Sequence, residues 1–477
     1  MLKRSENFMR MLKTNLGRWL AGAAMLGAAG SLWAAANVSR PNLLFILTDD
    51  QRWNTLGCMG DTNVLTPNLD RLGHEGVIFE NHYVTTSICC CTRASIFTGQ
   101  YMRRHGVEDF KTPLTPAQWA QTYPALLRQN GYYTGFIGKF GVGNDPEVKR
   151  MADQFDYWRG VTGQGGKYFI NPNDPSRTHE TARFGNDALE FLRTAPTNRP
   201  FCLSISFTAP HARDDMPHLE QYQTDDRDKK LYAGLVLPEP VTATDAYFQK
   251  LPPAVQKSIS RERWHWRFDT PEKYQSSAKN YYRLISGIDR EVGRMMAELK
   301  ARGLADNTVV IYTSDNGYFL GDRELSDKFY MYEESLRDPL IIYDPREPAA
   351  ARGRRESAMT LNIDFAPTLL TLAGLTPPAV MQGRSLVPLI DGGQPADWRT
   401  QFFYEEHTFP RLIPPSERMR TERWAYIRWV NEKPVREELY DVQADPLEAH
   451  NLAQDPQFAE QLAQLQAEWA MYAKSLR

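Results

Sequence analysis

The chain has 477 residues, with 56 basic and 58 acidic side chains, a formal net charge of -2 and 42% hydrophobic residues. That balance, without a basic tract or a recognisable binding module, gives no general attraction for polyanions and excludes nucleic acid as a partner. Five cysteines, an odd and sparse number, do not make a disulfide framework, and the length suits one large core with a smaller appended unit.

The N-terminus carries Lys3, Arg4, Arg10, Lys13 and Arg18, then a small and apolar run over 20–30, then Ala34-Ala35-Ala36. This order reads as a secretory signal peptide over residues 1–36, and so predicts a periplasmic or secreted protein. The apolar run is too short and glycine-rich for a membrane span, and no later stretch approaches twenty uninterrupted apolar residues, so no stable membrane insertion is expected after cleavage. Cleavage removes five basic residues and Glu6, leaving 51 basic against 57 acidic residues and a charge of -6. An anionic ligand must then be held by a local basic pocket.

Asn42 to Thr48 is a continuous apolar run ending in Asp49-Asp50, the pattern of a fully buried strand that delivers two carboxylates at its end. Next comes Cys89-Cys90-Cys91-Thr92-Arg93-Ala94-Ser95-Ile96-Phe97-Thr98-Gly99. Taken alone, three adjacent cysteines read as a buried cluster of small residues, which could bridge one another only through strained geometry. Thr122 to Gln129 reads as a short helix capped by Thr122 and ended by Asn130-Gly131, leading into a strand from Tyr133 to Ile137 with Lys139 just beyond it.

Phe201 to Phe207 repeats the buried-strand pattern and runs into Pro210-His211. Residues 212–275 form a long polar and aromatic insertion with Arg213, Asp214, Asp215, His218, Trp264, His265 and Trp266, suited either to stacking on sugar rings or to packing as a helical lid. Residues 278–302 place Tyr282, Ile285, Ile288, Val292, Met295, Met296 and Leu299 at helical spacing, with Gly303 as the stop. Thr308 to Thr313 is a third buried strand, ending in Asp315-Asn316. After residue 395 short aromatic segments at 402–404, 424–429 and 438–441 read as antiparallel strands, and a final helix carries Phe458, Leu462, Leu465, Trp469 and Tyr472 on one face.

Alternating strands and helices predict an α/β fold, a large and mainly parallel sheet with helices on both faces. Buried parallel strands release their polar residues at one edge, where open sheets bind ligands. Asp49, Asp50, Asp315 and Asn316 are oxygen donors from two such strand ends, a set suited to a hard divalent cation, calcium or magnesium, rather than to zinc.

The cysteine motif, with an arginine four residues on and a closing Thr-Gly, resembles the signature of the sulfatase family. The resemblance runs from Arg40-Pro41-Asn42 through Thr66-Pro67-Asn68-Leu69-Asp70, Asn362-Ile363-Asp364 and Ala366-Pro367-Thr368 to Leu439-Tyr440-Asp441, Asp445-Pro446 and Asn451-Leu452. It implies an alkaline-phosphatase-like fold: a catalytic domain over 37–394 and a C-terminal subdomain over 395–477, the latter an antiparallel sheet with a helix. It also implies that Cys89 is oxidised by a maturation enzyme to formylglycine (3-oxoalanine). One calcium ion, or magnesium, is then held by Asp49, Asp50, residue 89, Asp315 and Asn316, with Arg93 positioning residue 89 from within the site.

By the same resemblance Lys139, His211 and Lys328 hold the sulfate, and the hydrated aldehyde attacks sulfur while His211 or Lys328 gives a proton to the departing alcohol. Arg323 and His407 are further candidates for substrate contact. The chain departs from the family pattern at Cys91 (usually Pro or Ala), Thr92 (usually Ser), Gly141 (often His) and Arg323 (often His). The leading reading is a calcium-dependent sulfatase acting on sulfated carbohydrates. A non-catalytic binder of sulfated glycans and a phosphoester or phosphonate-ester hydrolase on the same fold stay open at this point.

Overall fold

The computed structural model of the protein describes residues 40–163, 168–169, 178–217 and 220–476. Residues 1–36, expected to be a signal peptide, and His218 lie outside the described residues.

Eight strands form the main sheet: β1 (Asn42–Thr48), β2 (Val77–Phe79), β3 (Tyr133–Lys139), β4 (Tyr157–Val161), β5 (Phe201–Ser206), β6 (Thr308–Ser314), β7 (Leu340–Tyr343) and β8 (Arg354–Glu356). Their spatial order is β8-β2-β7-β6-β1-β5-β3-β4. Within this sheet only β7 runs against its neighbours. Apolar residues fill both sides of the central strands because both faces are covered. In β1, Leu43, Phe45 and Leu47 enter one core while Leu44 and Ile46 enter the other; in β6, Val309 and Ile311 oppose Val310 and Tyr312 in the same way.

The helices that cover these faces include α1 (Pro67–Glu75), α2 (Cys89–Thr98), α3 (Tyr123–Gln129), α4 (Glu180–Thr194), α5 (Ile259–Arg267), α6 (Pro271–Ala301) and α7 (Phe365–Leu372). Helix α6 begins seven residues before the expected 278. Thr270 caps it, its side chain accepting from the Lys273 amide, and Pro271 occupies the first turn, where a missing N–H costs nothing. Thr122 precedes α3 but does not cap it through its side chain, which donates instead to the Trp119 carbonyl at 2.7 Å.

Past residue 395, β9 (Gln401–Glu406), β10 (Ser416–Thr421), β11 (Trp424–Trp429) and β12 (Arg436–Asp441) form an antiparallel sheet in sequence order, followed by helix α8 (Ala459–Ser475). Leu465 of α8 packs with Met419, Tyr426 and Leu439, while Phe402, Phe403, Ile427 and Trp429 belong to the same core as β1 and α2. Strand β10, Ser-Glu-Arg-Met-Arg-Thr, has no apolar alternation to announce it. Its buried Arg418 pairs with Glu333 at 2.7 Å and Glu448 at 2.8 Å, and Arg420 pairs with Glu333 at 2.9 Å. All five cysteines are unbridged and buried. Among the described residues no helix is long and apolar enough to cross a membrane.

Candidate active site

Parallel register builds the site. Thr48 of β1 lies opposite Ser314 of β6, Leu47 opposite Ser206 of β5, and Gly138 of β3 opposite Ser206, so the chain leaves four neighbouring strands at one edge. Asp49-Asp50, Asp315-Asn316 and His211 follow β1, β6 and β5 there, and Lys139 is the last residue of β3 rather than lying beyond it. Helix α2 brings Cys89 to the same edge as its first residue, after an extended Ile88, and Arg93 stands one turn further along. All ten residues of α2 are buried, which explains why the segment lacks a polar face.

These side chains converge. Cys89 Sγ lies 3.4 Å from Asp49 Oδ1 and 3.6 Å from Asn316 Nδ2. Lys139 Nζ donates to Asp49 Oδ2 at 2.6 Å, and Lys328 Nζ donates to Asp50 Oδ2 at 2.6 Å. His211 Nε2 is 3.5 Å from the same Asp50 oxygen, while its Nδ1 meets the Ala212 carbonyl at 2.5 Å. Arg93 spreads its fork over Asp315 Oδ2 (2.9 Å from Nε, 2.8 Å from Nη2), the Lys139 carbonyl (2.7 Å) and Ser206 Oγ. The Asp50 amide donates to Asp315 Oδ1 at 3.1 Å, and Tyr281 donates its hydroxyl to the Asp50 carbonyl at 2.7 Å. Three non-glycine residues around the site are left-handed: Asp50 (φ 64°) and the two that flank Lys328, Asp327 (φ 73°) and Phe329 (φ 88°). Such backbone strain is held only where surrounding contacts fix it, and here those contacts aim Asp50 and Lys328 at each other.

Electrostatics separate the carboxylates. Burial alone would raise Asp49, but Lys139, His211, Arg93 and Lys328 hold it well below the usual range. Asp50 is pushed up to about 7 by burial and the adjacent Asp49 charge, against Lys328. Asp315 is raised as well, first by burial and then by Asp49. Burial, with Asp49, raises the Cys89 thiol far above its ordinary value, so the sulfur is a neutral thiol near pH 7. Three carboxylates and an amide packed together, two of them resisting ionisation, fit a hard divalent cation, whose charge would reverse those upward shifts. Asp49, Asp50, Cys89 and His211 each bring a ligand atom within 4.8 Å of the others.

The family model described as Sulfatase matches residues 41–375, and that described as N-sulphoglucosamine sulphohydrolase, C-terminal, matches 321–475. The chain belongs to the sulfatase family. An N-acetylglucosamine-6-O-sulfatase of Bacteroides thetaiotaomicron is 30% identical to it over 97% of this chain and 91% of the relative. A structure solved in complex with its substrate D-glucosamine-2-N,6-O-disulfate superposes with a TM-score of 0.78 at 28% identity, covering 92% of this chain and 98% of that one. The phosphonate monoester hydrolase of Agrobacterium radiobacter shares the fold with a TM-score of 0.78 at 23% identity, over 92% of this chain and 96% of that one. The protein is therefore a sulfuric ester hydrolase, with the mixed, mainly parallel sheet and C-terminal antiparallel unit of that fold.

The sulfatase accommodates its departures from the family pattern. Thr92 keeps a hydroxyl, which donates to the Thr86 carbonyl at 2.5 Å and lies 3.3 Å from Asn316 Oδ1. Cys91, on α2, is fully buried in the core, where a small apolar side chain suffices. A Cβ on Gly141 (φ +74°) would lie 2.5 Å from Arg93 Cδ, so Gly141 gives room to the guanidinium stem that a histidine would strike. The two further candidates for substrate contact, Arg323 and His407, lie apart from the Cys89 cluster. Arg323 is buried in a structural cluster, with Glu334 at 3.2 Å, the Leu447 carbonyl at 2.8 Å and the Tyr332 ring at 4.3 Å, because it ties the loop after β6 to the C-terminal unit. His407 pairs with Glu417 at 3.1 Å and lines a separate groove with Arg103 and Trp469.

A cavity of about 340 Å³ opens directly onto Cys89, His211 and Lys328. Its walls include Phe110, Ile259, Phe329, Phe409, Leu412 and Ile413, with Asp214 and Arg263 as its remaining charged residues. Trp264, His265 and Trp266 do not line it; Trp264 packs under Arg261 at 4.0 Å. Arg263 was missed by sequence reasoning. The available signal was the pair Arg263 and Arg267, four apart on one helix and both bonded to Asp327, the residue before Lys328.

Proposed function

We propose that the protein hydrolyses sulfate esters of carbohydrates through a formylglycine hydrate made from Cys89, with one calcium ion held by Asp49, Asp50, residue 89, Asp315 and Asn316. The observation that carries this reading is the position of Cys89. It heads a buried helix, within hydrogen-bond reach of Asp49 and Asn316, beneath a cavity whose inner end presents Lys328 and His211. A neutral, buried thiol is a poor nucleophile, which favours its replacement by an oxygen nucleophile. When bound, the cation supplies Lewis-acid polarisation of the reacting oxygens, and the hydrate supplies the attacking oxygen.

The chain's own residues do the rest. Arg93 and Lys139 fix Asp49, Asp315 and the floor of the site, so that residue 89 is held in one orientation. Lys328, charged and raised well above its ordinary value by its carboxylate neighbours despite burial, is placed to hold a sulfate oxygen and to stabilise charge on the departing oxygen. The short Nδ1 contact to the Ala212 carbonyl fixes the neutral His211 with its proton on Nδ1, leaving Nε2 toward Asp50 and the cavity. The carbohydrate assignment is supported by the names of the relatives above. The N-terminal segment supports export to the periplasm or beyond, and a partner enzyme must carry out the oxidation of Cys89.

The test is mass spectrometry of the peptide containing residue 89, on protein from its native host, together with sulfate release from a sulfated sugar. A loss of about 18 mass units relative to cysteine, with sulfate released, is expected. Active protein with an unmodified Cys89 would sink the formylglycine mechanism.

A further inference from the structure

We infer that Asp327 is a positioning residue for Lys328, gripped by helix α5 of the 212–275 insertion: Arg263 and Arg267 hold the Asp327 carboxylate and so fix the Lys328 ammonium at the inner end of the cavity. This rests on the role given to Lys328 above, at the departing oxygen. The grip is two-sided. Arg263 Nη1 donates to Asp327 Oδ2 at 2.5 Å and Arg267 Nη1 donates to Oδ1 at 2.6 Å, so each carboxylate oxygen has its own guanidinium. Arg267 is buried and anchored in turn by the Tyr318 hydroxyl at 3.0 Å, Ser326 Oγ at 2.8 Å, Gln221 and Asp214. Arg263 also meets Asp214 at 3.0 Å, and these two side chains line the cavity with Cys89 and Lys328.

The backbone shows why a carboxylate stands at this position. Asp327 (φ 73°) and Phe329 (φ 88°) are both left-handed, a conformation that glycine would take without strain. An aspartate there is accounted for by what its side chain holds. Phe319 pairs with Asp327 and Leu320 with Ser326 in a two-residue antiparallel ladder, and the Phe329 carbonyl accepts from the Tyr404 hydroxyl at 2.7 Å. Lys328 is thus pinned through both neighbours, and its Nζ reaches Asp50 Oδ2 at 2.6 Å. A lysine stem is flexible, so precision at its ammonium must come from the backbone that carries it. As the S–O bond breaks, its electron pair goes to the departing oxygen, and an N–H of Lys328 has to point there already.

The test is a double-mutant cycle on matured, full-length protein. The rate constant kcat/KM is read on 4-nitrophenyl sulfate, whose departing phenoxide needs little help, and on phenyl sulfate and N-acetylglucosamine-6-sulfate, whose departing oxygens need more. In Asp327→Asn the amide keeps one acceptor and turns a donor toward the second guanidinium. It is expected to lower kcat/KM by about 10–100-fold on the latter two esters and by no more than about threefold on 4-nitrophenyl sulfate. Added to Lys328→Ala it should cost nothing further, because a residue that acts through Lys328 then has nothing to position. Arg263→Gln removes one arm of the grip and leaves Arg267 on Asp327. It should show the same leaving-group pattern more weakly, and it carries the test if Asp327→Asn does not fold. An equal loss or no loss across the three esters, or a full further loss in the Lys328→Ala background, makes Asp327 a purely structural ion pair. That result overturns this inference while Lys328 keeps its role. If Lys328→Ala itself leaves the leaving-group dependence unchanged, the role of Lys328 and this inference fall together.

Discussion

At the scale of single residues, the site depends on side chains whose geometry matters more than their charge. Arg93 contacts Asp315, the Lys139 carbonyl and Ser206 at once, a task for a planar fork that a lysine ammonium cannot reproduce. Arg93→Lys is therefore expected to lower kcat/KM by about 10²–10³-fold while the protein still melts cooperatively. A rate within a few-fold of wild type would show that the fork is dispensable. Glu406 makes a different case. Its carboxyl is buried behind the cysteine motif and pushed up to about 8 by burial, although Thr408 donates to it through both amide and hydroxyl. Because its folded value lies above its unfolded one, the folded state holds the proton more tightly. The stability it contributes is fully present below about pH 4.5 and is lost as pH rises through about 8. Glu406→Gln keeps the Oε1 acceptor and removes the titration. Its melting temperature should match wild type near pH 4.5 and exceed it at pH 9; parallel curves across that range would contradict the argument. Asp49, Asp50, Asp315 and Asn316 were legible as a group of oxygen donors only through their joint occurrence with the cysteine motif, because each pair alone after a strand reads as a turn. The partners of Arg323 and His407, Glu334 and Glu417, were not legible, since sequence shows that a cation exists and not which carboxylate holds it.

At the scale of elements, the central strands were readable because each has a single demand on its residues, whereas α2 was legible only as a buried cluster and a family motif. A strand buried on both faces must be apolar throughout, while α2, buried all round, mixes apolar residues with Thr92, Arg93, Ser95 and Thr98 and so shows no helical period. Strand β10 was hidden for the opposite reason. It carries Glu417, Arg418 and Arg420 where a strand pattern would want apolar residues, and those charges are matched by residues from elsewhere in the chain, Glu417 by His407 and Arg103 and the two arginines by Glu333 and Glu448. The fully buried Arg418 makes this a joint between the catalytic body and the C-terminal sheet. Burial pushes Glu448 up to about 7 even beside Arg418, so removing the arginine strands a buried carboxyl. Arg418→Met is expected to cost about 3–5 kcal/mol in denaturant unfolding, and adding Glu448→Gln should recover part of that loss. A double variant no more stable than the single one would mean that Glu448 is not the group left unpaired.

At the scale of the whole molecule, the proposed cation should also act as a fold-stabilising ligand, because four of its expected protein ligands come from the ends of two central strands. Chelation should lower the melting temperature. Calcium restored to about a hundred times its dissociation constant should return about 2.7 kcal/mol of stability, with magnesium returning less because it sheds its waters reluctantly. A melting temperature indifferent to chelator and calcium would remove the cation from this account. The sequence by itself determined the buried parallel strands, the carboxylates at their ends, the family and the C-terminal antiparallel unit. Each of these follows from a local rule of periodicity or from a motif of adjacent residues. Only the tertiary structure decided which cations face the reacting centre, why Gly141 replaces a histidine, and that Phe110, Ile259, Phe329 and Phe409 wall one cavity. Those facts depend on which distant segments meet across a sheet edge, and the packing that brings residue 110 against residue 409 leaves no periodic trace in either segment.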